Sequence, residues 1–99
     1  MNTILEKATG LRSFDLPEET RIQARKVLEE AAELMVAVDD WEASLDDPPR
    51  LWTHMLDEYA QVLQAMVNLQ ASVGFTDADV RDACRAVNAR HVADGRVSR

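Results

Sequence analysis

From Pro17 to Ala43 the chain reads PEETRIQARKVLEEAAELMVAVDDWEA, with no glycine and no proline after its first position. Apolar residues recur in it at helical spacing. At 100° per residue Ala24, Val27, Leu28, Ala31, Leu34, Met35, Val38 and Trp41 fall on one face. The pattern predicts a long amphipathic helix over about 17–43, opened by Asp15 with Glu18 and by Pro17 in its first turn. Asp46-Asp47-Pro48-Pro49 ends it, because consecutive prolines donate no backbone N–H to a continuing helix.

Outward from that stretch the same reading repeats. A second long helix is expected over about 49–72, between the double proline and Gly74. Its apolar residues, Leu51, Met55, Leu56, Tyr59, Val62, Leu63, Met66, Val67, Leu69 and Val73, spread over roughly 160°, wider than the ~100° stripe that one core needs. The excess predicts a second packing partner, and hence a homodimer or a tetramer. Thr3 with Glu6 has the form of a capping box and Gly10 that of a stop, so residues 4–9 read as a short helix. Thr76-Asp77-Ala78-Asp79 opens another that runs to about Ala93, with 94–99 as a frayed tail. The expected fold class is all-α: two long antiparallel helices plus shorter N- and C-terminal helices, assembling as an oligomeric helical bundle. Residues 1–99 form one domain, with 1–13 as an N-terminal arm.

Size and charge narrow the function. A chain of 99 residues buries only about 60–70% of its unfolded surface, so a sizeable pocket is expected between subunits. Eighteen Asp and Glu against eleven Lys and Arg give a net charge of -7, which argues against direct DNA or RNA binding, since that affinity comes from clustered cations. Cys84 is alone, which excludes an internal disulfide and fits a reducing cytoplasm. No stretch approaches the ~20 apolar residues of a membrane span, and Met1–Lys7 lacks the basic start and apolar run of a signal peptide. The negative charge is concentrated: Glu29–Glu58 holds ten acids and one base, Arg50. Most of it reads as solvated surface.

Glu29, Glu30 and Glu33 are nevertheless i,i+3 and i,i+4 neighbours on one helix. Like charges so placed repel unless a cation lies between them. On the second helix Glu58 stands beside the apolar arc, followed along one polar band by Gln61, Ala65 and Asn68. Oxygen ligands on two neighbouring helices, with room left for water and phosphate, are what a hard divalent cation requires.

The order Glu29-Glu30-Ala31-Ala32-Glu33-Leu34, then Glu58-Tyr59-Ala60-Gln61-Val62-Leu63, resembles the Glu-x-x-Glu … Glu-x-x-Asp signature of the MazG-type all-α nucleotide pyrophosphohydrolases. Phe14-Asp15-Leu16-Pro17 with Arg21, Arg25 and Lys26 is similar to the entry of that family's first metal-binding helix, and Gly74-Phe75-Thr76 with Ala83–His91 to its final helix. The resemblance covers about residues 14–96. It implies Mg²⁺-dependent hydrolysis of a nucleoside triphosphate, NTP or dNTP, to monophosphate and pyrophosphate, with Mn²⁺ as a substitute ion. It assigns Glu30, Glu33 and Glu58 as metal ligands, Glu30 and Glu33 also as the catalytic carboxylates without dividing base from ligand, and Asn88, Arg90 and Lys26 as nucleotide contacts. Gln61 departs from the pattern: the metal-ligand position that is Asp in the family offers here a neutral carbonyl oxygen. Three expectations stay open: an enzyme with a weakened metal site, a nucleotide-binding protein that does not cleave, and a structural or regulatory helical bundle.

Other residues read more simply. His54 and Glu58 have an i,i+4 spacing that can bind zinc, but no second histidine completes it. Cys84 reads as a small core residue, Met35, Met55 and Met66 as core filling, and Trp41 and Trp52 as packing or a dimer contact. No glycine-rich loop provides a P-loop route to nucleotide binding.

Overall fold

A computed structural model describes residues 2–15, 19–44 and 46–98. Every element among them is helical: α1 (Ile4–Thr9), α2 (Thr20–Ala43), α3 (Pro48–Val73) and α4 (Asp77–Ala93). Local chemistry explains the boundaries. The Thr3 hydroxyl accepts from the Glu6 N–H at 3.3 Å while the Glu6 carboxylate accepts from the Thr3 N–H at 2.9 Å, closing the capping box of α1. The same exchange between Thr76 and Asp79 opens α4. Asp47 adopts φ 43° and accepts from the Arg50 N–H, turning the chain into Pro48-Pro49 at the start of α3. Gly74 ends α3 at φ 86°, a conformation that costs a residue with a Cβ.

The start of α2 differs from expectation. Residues 16–18, and with them the opening assigned to Pro17 and Glu18, lie outside the described residues. Glu19 is extended at φ -52°, ψ 150°, so the described helix begins at Thr20. At the other end of the chain, Asp94, Gly95 and Arg96 donate to the carbonyls of Arg90, Val92 and His91 at 2.9–3.0 Å. The expected frayed tail therefore begins with a closed turn.

The principal packing is α2 against α3. The hydroxyls of Thr20 and Ser72 are 2.7 Å apart, while the rings of Trp41 and Trp52 meet at a centroid distance of 5.7 Å. These contacts fix the register of the pair. Ala37, Leu51, Ala65 and Val67 form the buried apolar core, and Gln23 is buried with them. The expected core stripe of α2 is corrected here: Ala24, Leu28, Ala31 and Met35 are exposed, Leu28 by 71% and Met35 by 62%. Its buried and half-buried line is Gln23, Val27, Glu30, Leu34 and Ala37. Among the described residues the extensive packing of α2 is against α3, and that packing covers only part of the apolar periodicity of α2. Met35 and Met66 are accordingly not enclosed core filling, and only Met55 is half-buried.

Polar side chains hold the N-terminal segment to α3. Asn68 Oδ1 accepts from the Phe14 N–H at 3.0 Å and from Gln64 Nε2 at 3.1 Å, and Gln64 Nε2 also donates to the Arg12 carbonyl at 2.8 Å. The buried Glu6 carboxylate accepts from Ser13 N–H at 3.1 Å. Its pKa is lowered, because the charged form takes backbone hydrogen bonds from Thr3 and Ser13. Asp77 ties α4 to α1, accepting from the Ile4 N–H at 2.8 Å with Lys7 Nζ at 3.5 Å. Beyond that tie α4 buries no residue. An apolar groove of about 310 Å³ separates it from α1 and α3, lined by Leu5, Met66, Leu69, Phe75, Val80 and Cys84. Cys84 is exposed, not a core residue. No described helix is long and apolar enough to cross a membrane.

Candidate metal centre

Three carboxylates converge where α2 and α3 pack. Glu30 and Glu33 stand one turn apart on α2 and Glu58 on α3, and one oxygen from each lies within 4.8 Å of the others. Among the described residues no other group of three acidic, histidine or cysteine side chains converges in this way. Glu33 is exposed, whereas Glu30 and Glu58 are half-buried because the packed line of α2 includes Glu30. Glu58 Oε2 is sealed from solvent and accepts no hydrogen bond. A shielded acceptor of that kind costs free energy unless something donates to it or a cation meets it.

The electrostatics point the same way. The Glu30 pKa is raised, first by burial, then by the charge of Glu33, by a hydrogen bond with Glu33, and by the charges of Glu58 and Glu29.

The remaining expected site residues distribute unevenly. Gln61 follows Glu58 on α3 and is exposed. Lys26, one turn before Glu30, is half-buried and already makes a contact within the chain. Asn68 does not join the polar band assigned to it. It is buried with both contacts directed to the N-terminal segment and Gln64, and Ala65 is buried beside it. Asn88 and Arg90 are exposed on α4, which packs extensively on neither α2 nor α3. A single chain therefore assembles the carboxylates without assembling these two contacts around them. His54 lines an open hollow at the α2–α3 turn with Asp40, Arg50 and Asp57 and is not one of the convergent group.

The half-burial of Glu30 had one signal in the sequence. Counting helical turns from Val27 and Leu34, instead of from the apolar maximum, puts Glu30 on the packed line. Comparison with models of known protein families, with curated proteins and with solved structures finds no match.

Proposed function

We propose that this chain is a Mg²⁺-dependent nucleoside triphosphate pyrophosphohydrolase of the MazG type, cleaving an NTP or dNTP to monophosphate and pyrophosphate. On this reading it is a cytoplasmic protein, its α2 and α3 are antiparallel, and it works as a homodimer or tetramer. The observation that carries the proposal is the convergence of Glu30, Glu33 and Glu58 around the shielded, unpartnered Glu58 Oε2. The donor set fits the ion. Mg²⁺ binds hard oxygens at about 2.0–2.1 Å in an octahedron, which puts ligand oxygens roughly 3–4 Å apart. Side chains spanning 4.8 Å close to that separation by small rotamer adjustments.

Glu30, Glu33 and Glu58 would hold the ion, with the Gln61 carbonyl as a neutral fourth donor. When bound, Mg²⁺ supplies neutralisation of the charge on the phosphate oxygens. Glu33 is the exposed carboxylate of the three, and it is placed to orient a water and take its proton on a carboxylate oxygen. Glu30 is half-buried, with less access to water, which suits it better to the ligand role. Gln61 favours a second reading, nucleotide binding without cleavage, because a neutral donor leaves more of the metal–metal and metal–proton repulsion uncompensated.

Thermal unfolding with Mg²⁺ and a panel of NTPs and dNTPs tests binding, since a ligand selective for the folded state raises Tm. Pyrophosphate release tests cleavage. The expected result is a Tm rise with at least one nucleotide, turnover lost in Glu33→Ala and raised in Gln61→Asp. No shift with any nucleotide refutes both readings. Turnover unchanged in Glu33→Ala refutes the assignment of the carboxylates.

A further inference from the structure

We propose that the groove between α1, α3 and α4 is a binding site for a small, uncharged aromatic ligand of two fused rings that carries one hydrogen-bond donor. The groove has a volume of about 310 Å³, and apolar side chains from all three helices line it, among them Leu5, Leu69 and Val80. Gln70 on α3 is the one buried residue of that lining, 3% exposed where the others are half-buried or exposed, so it forms the floor. Its Nε2 donates to the Phe75 carbonyl at 3.2 Å. That bond fixes which way the amide points, because the reverse orientation would set oxygen against oxygen. Gln70 Oε1 is left sealed from solvent, and no described residue donates to it.

Size and chemistry together name the ligand class. An unpartnered buried carbonyl costs free energy that a donor arriving through the groove recovers. Water suits that role poorly, because a buried water takes about three partners and the apolar walls supply few. A dry apolar cavity of about 150 Å³ accommodates benzene, so twice that volume accommodates two fused rings. Such a ring meets soft and aromatic partners in Met66, Phe75 and Cys84. Met66 stands one turn before Gln70 on α3, and its unbranched side chain, 39% exposed, can turn to open the path to the amide. Asp79, exposed at the mouth, already takes the Thr76 N–H at 3.1 Å. The oxygens offered to a ligand are therefore acceptors, and a net charge would be costly to bury against such walls.

The site stands apart from the convergent carboxylates. Gln70 follows Glu58 by twelve residues, about 18 Å along α3 and roughly 120° round it at helical rise and turn. Its occupant would act on α4. That helix buries no residue and is tied to α1 through Asp77. A ring held between α4 and α3 supplies packing that α4 otherwise lacks, so bound ligand is expected to slow amide exchange in α4.

The probes are indole and 1-methylindole, which share two fused rings and differ in the N–H. Calorimetry on the full chain reads affinity. The rate at which a thiol reagent modifies Cys84, the chain's one cysteine, reads occupancy of the groove. Indole is expected to bind saturably and, at about ten times its Kd, to slow Cys84 modification about tenfold. It is expected to bind about three- to tenfold tighter than 1-methylindole, the worth of one net hydrogen bond. Gln70→Leu should bring that ratio to about one. Ala83→Trp, at an exposed position of the lining, should block the groove and abolish binding, with circular dichroism showing each variant helical. If Gln70→Leu loses helicity, Ala83→Trp and the wild-type ratio decide the matter. No binding of indole, binding that leaves Cys84 equally reactive, equal affinity for 1-methylindole, or affinity undiminished in Ala83→Trp would each overturn the proposal. So would protection of Cys84 that grows with protein concentration alone, which would put a second copy in the groove. Protection by a nucleoside triphosphate with Mg²⁺ would overturn it too, by making the groove part of the nucleotide site. The readouts are affinity and thiol reactivity, so they are independent of the pyrophosphohydrolase reading.

Discussion

Replacing Glu58 by Gln should make the cation-free protein more stable at neutral pH while removing its response to Mg²⁺. The three carboxylates approach within 4.8 Å. At that distance two unit charges repel by about 0.9 kcal/mol in a dielectric of 80, and by more where the site is shielded. Glu58→Gln removes two such pairs. Screening at about 0.1 M salt reduces the gain, leaving roughly 1 kcal/mol. For a domain of this size that is about 4–8 °C in Tm. The amide keeps the shape of the side chain and brings an N–H₂ that can donate to Glu30 or Glu33. The assay is thermal unfolding at fixed protein concentration, in chelator and in excess Mg²⁺, for wild type and variant. Wild type should gain Tm with Mg²⁺ and the variant should not. A variant less stable than wild type in chelator, yet equally responsive to Mg²⁺, would falsify the reasoning, because it would mean that Glu58 neither opposes its neighbours nor meets the ion.

Four further outcomes follow. The raised Glu30 pKa gives a contribution fully present below its ordinary value of 4.5 and lost as pH rises through the folded-state value. Glu30→Gln should therefore raise the urea midpoint at pH 7 in chelator and leave it unchanged near pH 4. Glu6 has the opposite sign: its lowered pKa gives stability present above 4.5 and lost as pH falls through the folded-state value, so Glu6→Gln should lower the midpoint at pH 7 and less so in acid. Gly74→Ala meets open space but forces an L-residue to φ 86°, and should cost about 1–2 kcal/mol, read as a Tm fall of about 4–8 °C per kcal/mol. Asp77→Ala removes the acceptor for the Ile4 N–H and the partner of Lys7. It should cost about 1.5–3 kcal/mol of local stability, seen as α1 amides exchanging at least tenfold faster while α3 amides hold.

The helices were legible because their limits are set by neighbours in the chain. Thr3 with Glu6, Thr76 with Asp79, the prolines after Asp47 and the glycine after Val73 each act within one turn, through a hydrogen bond or a dihedral angle that the residue type itself favours. The carboxylates were legible for the same reason, since i,i+3 spacing makes Glu30 and Glu33 neighbours on any helix. That Glu58 joins them depends on the register of α3 against α2, which no local spacing encodes.

The sequence by itself determined four helical segments, the capping boxes of α1 and α4, the glycine stops of α1 and α3, the acidic concentration on α2 and the absence of a membrane-length apolar run. Only the tertiary structure decided which side of α2 faces α3, that Gln64 and Asn68 clamp the N-terminal segment, that Cys84 is exposed, and that one oxygen of Glu58 is shielded without a partner. The physical reason is range. Caps and periodicity are short-range and additive along the chain, so they can be read residue by residue. Burial depends on which surfaces meet, and the apolar periodicity of α2 marks surface that its packing on α3 leaves uncovered.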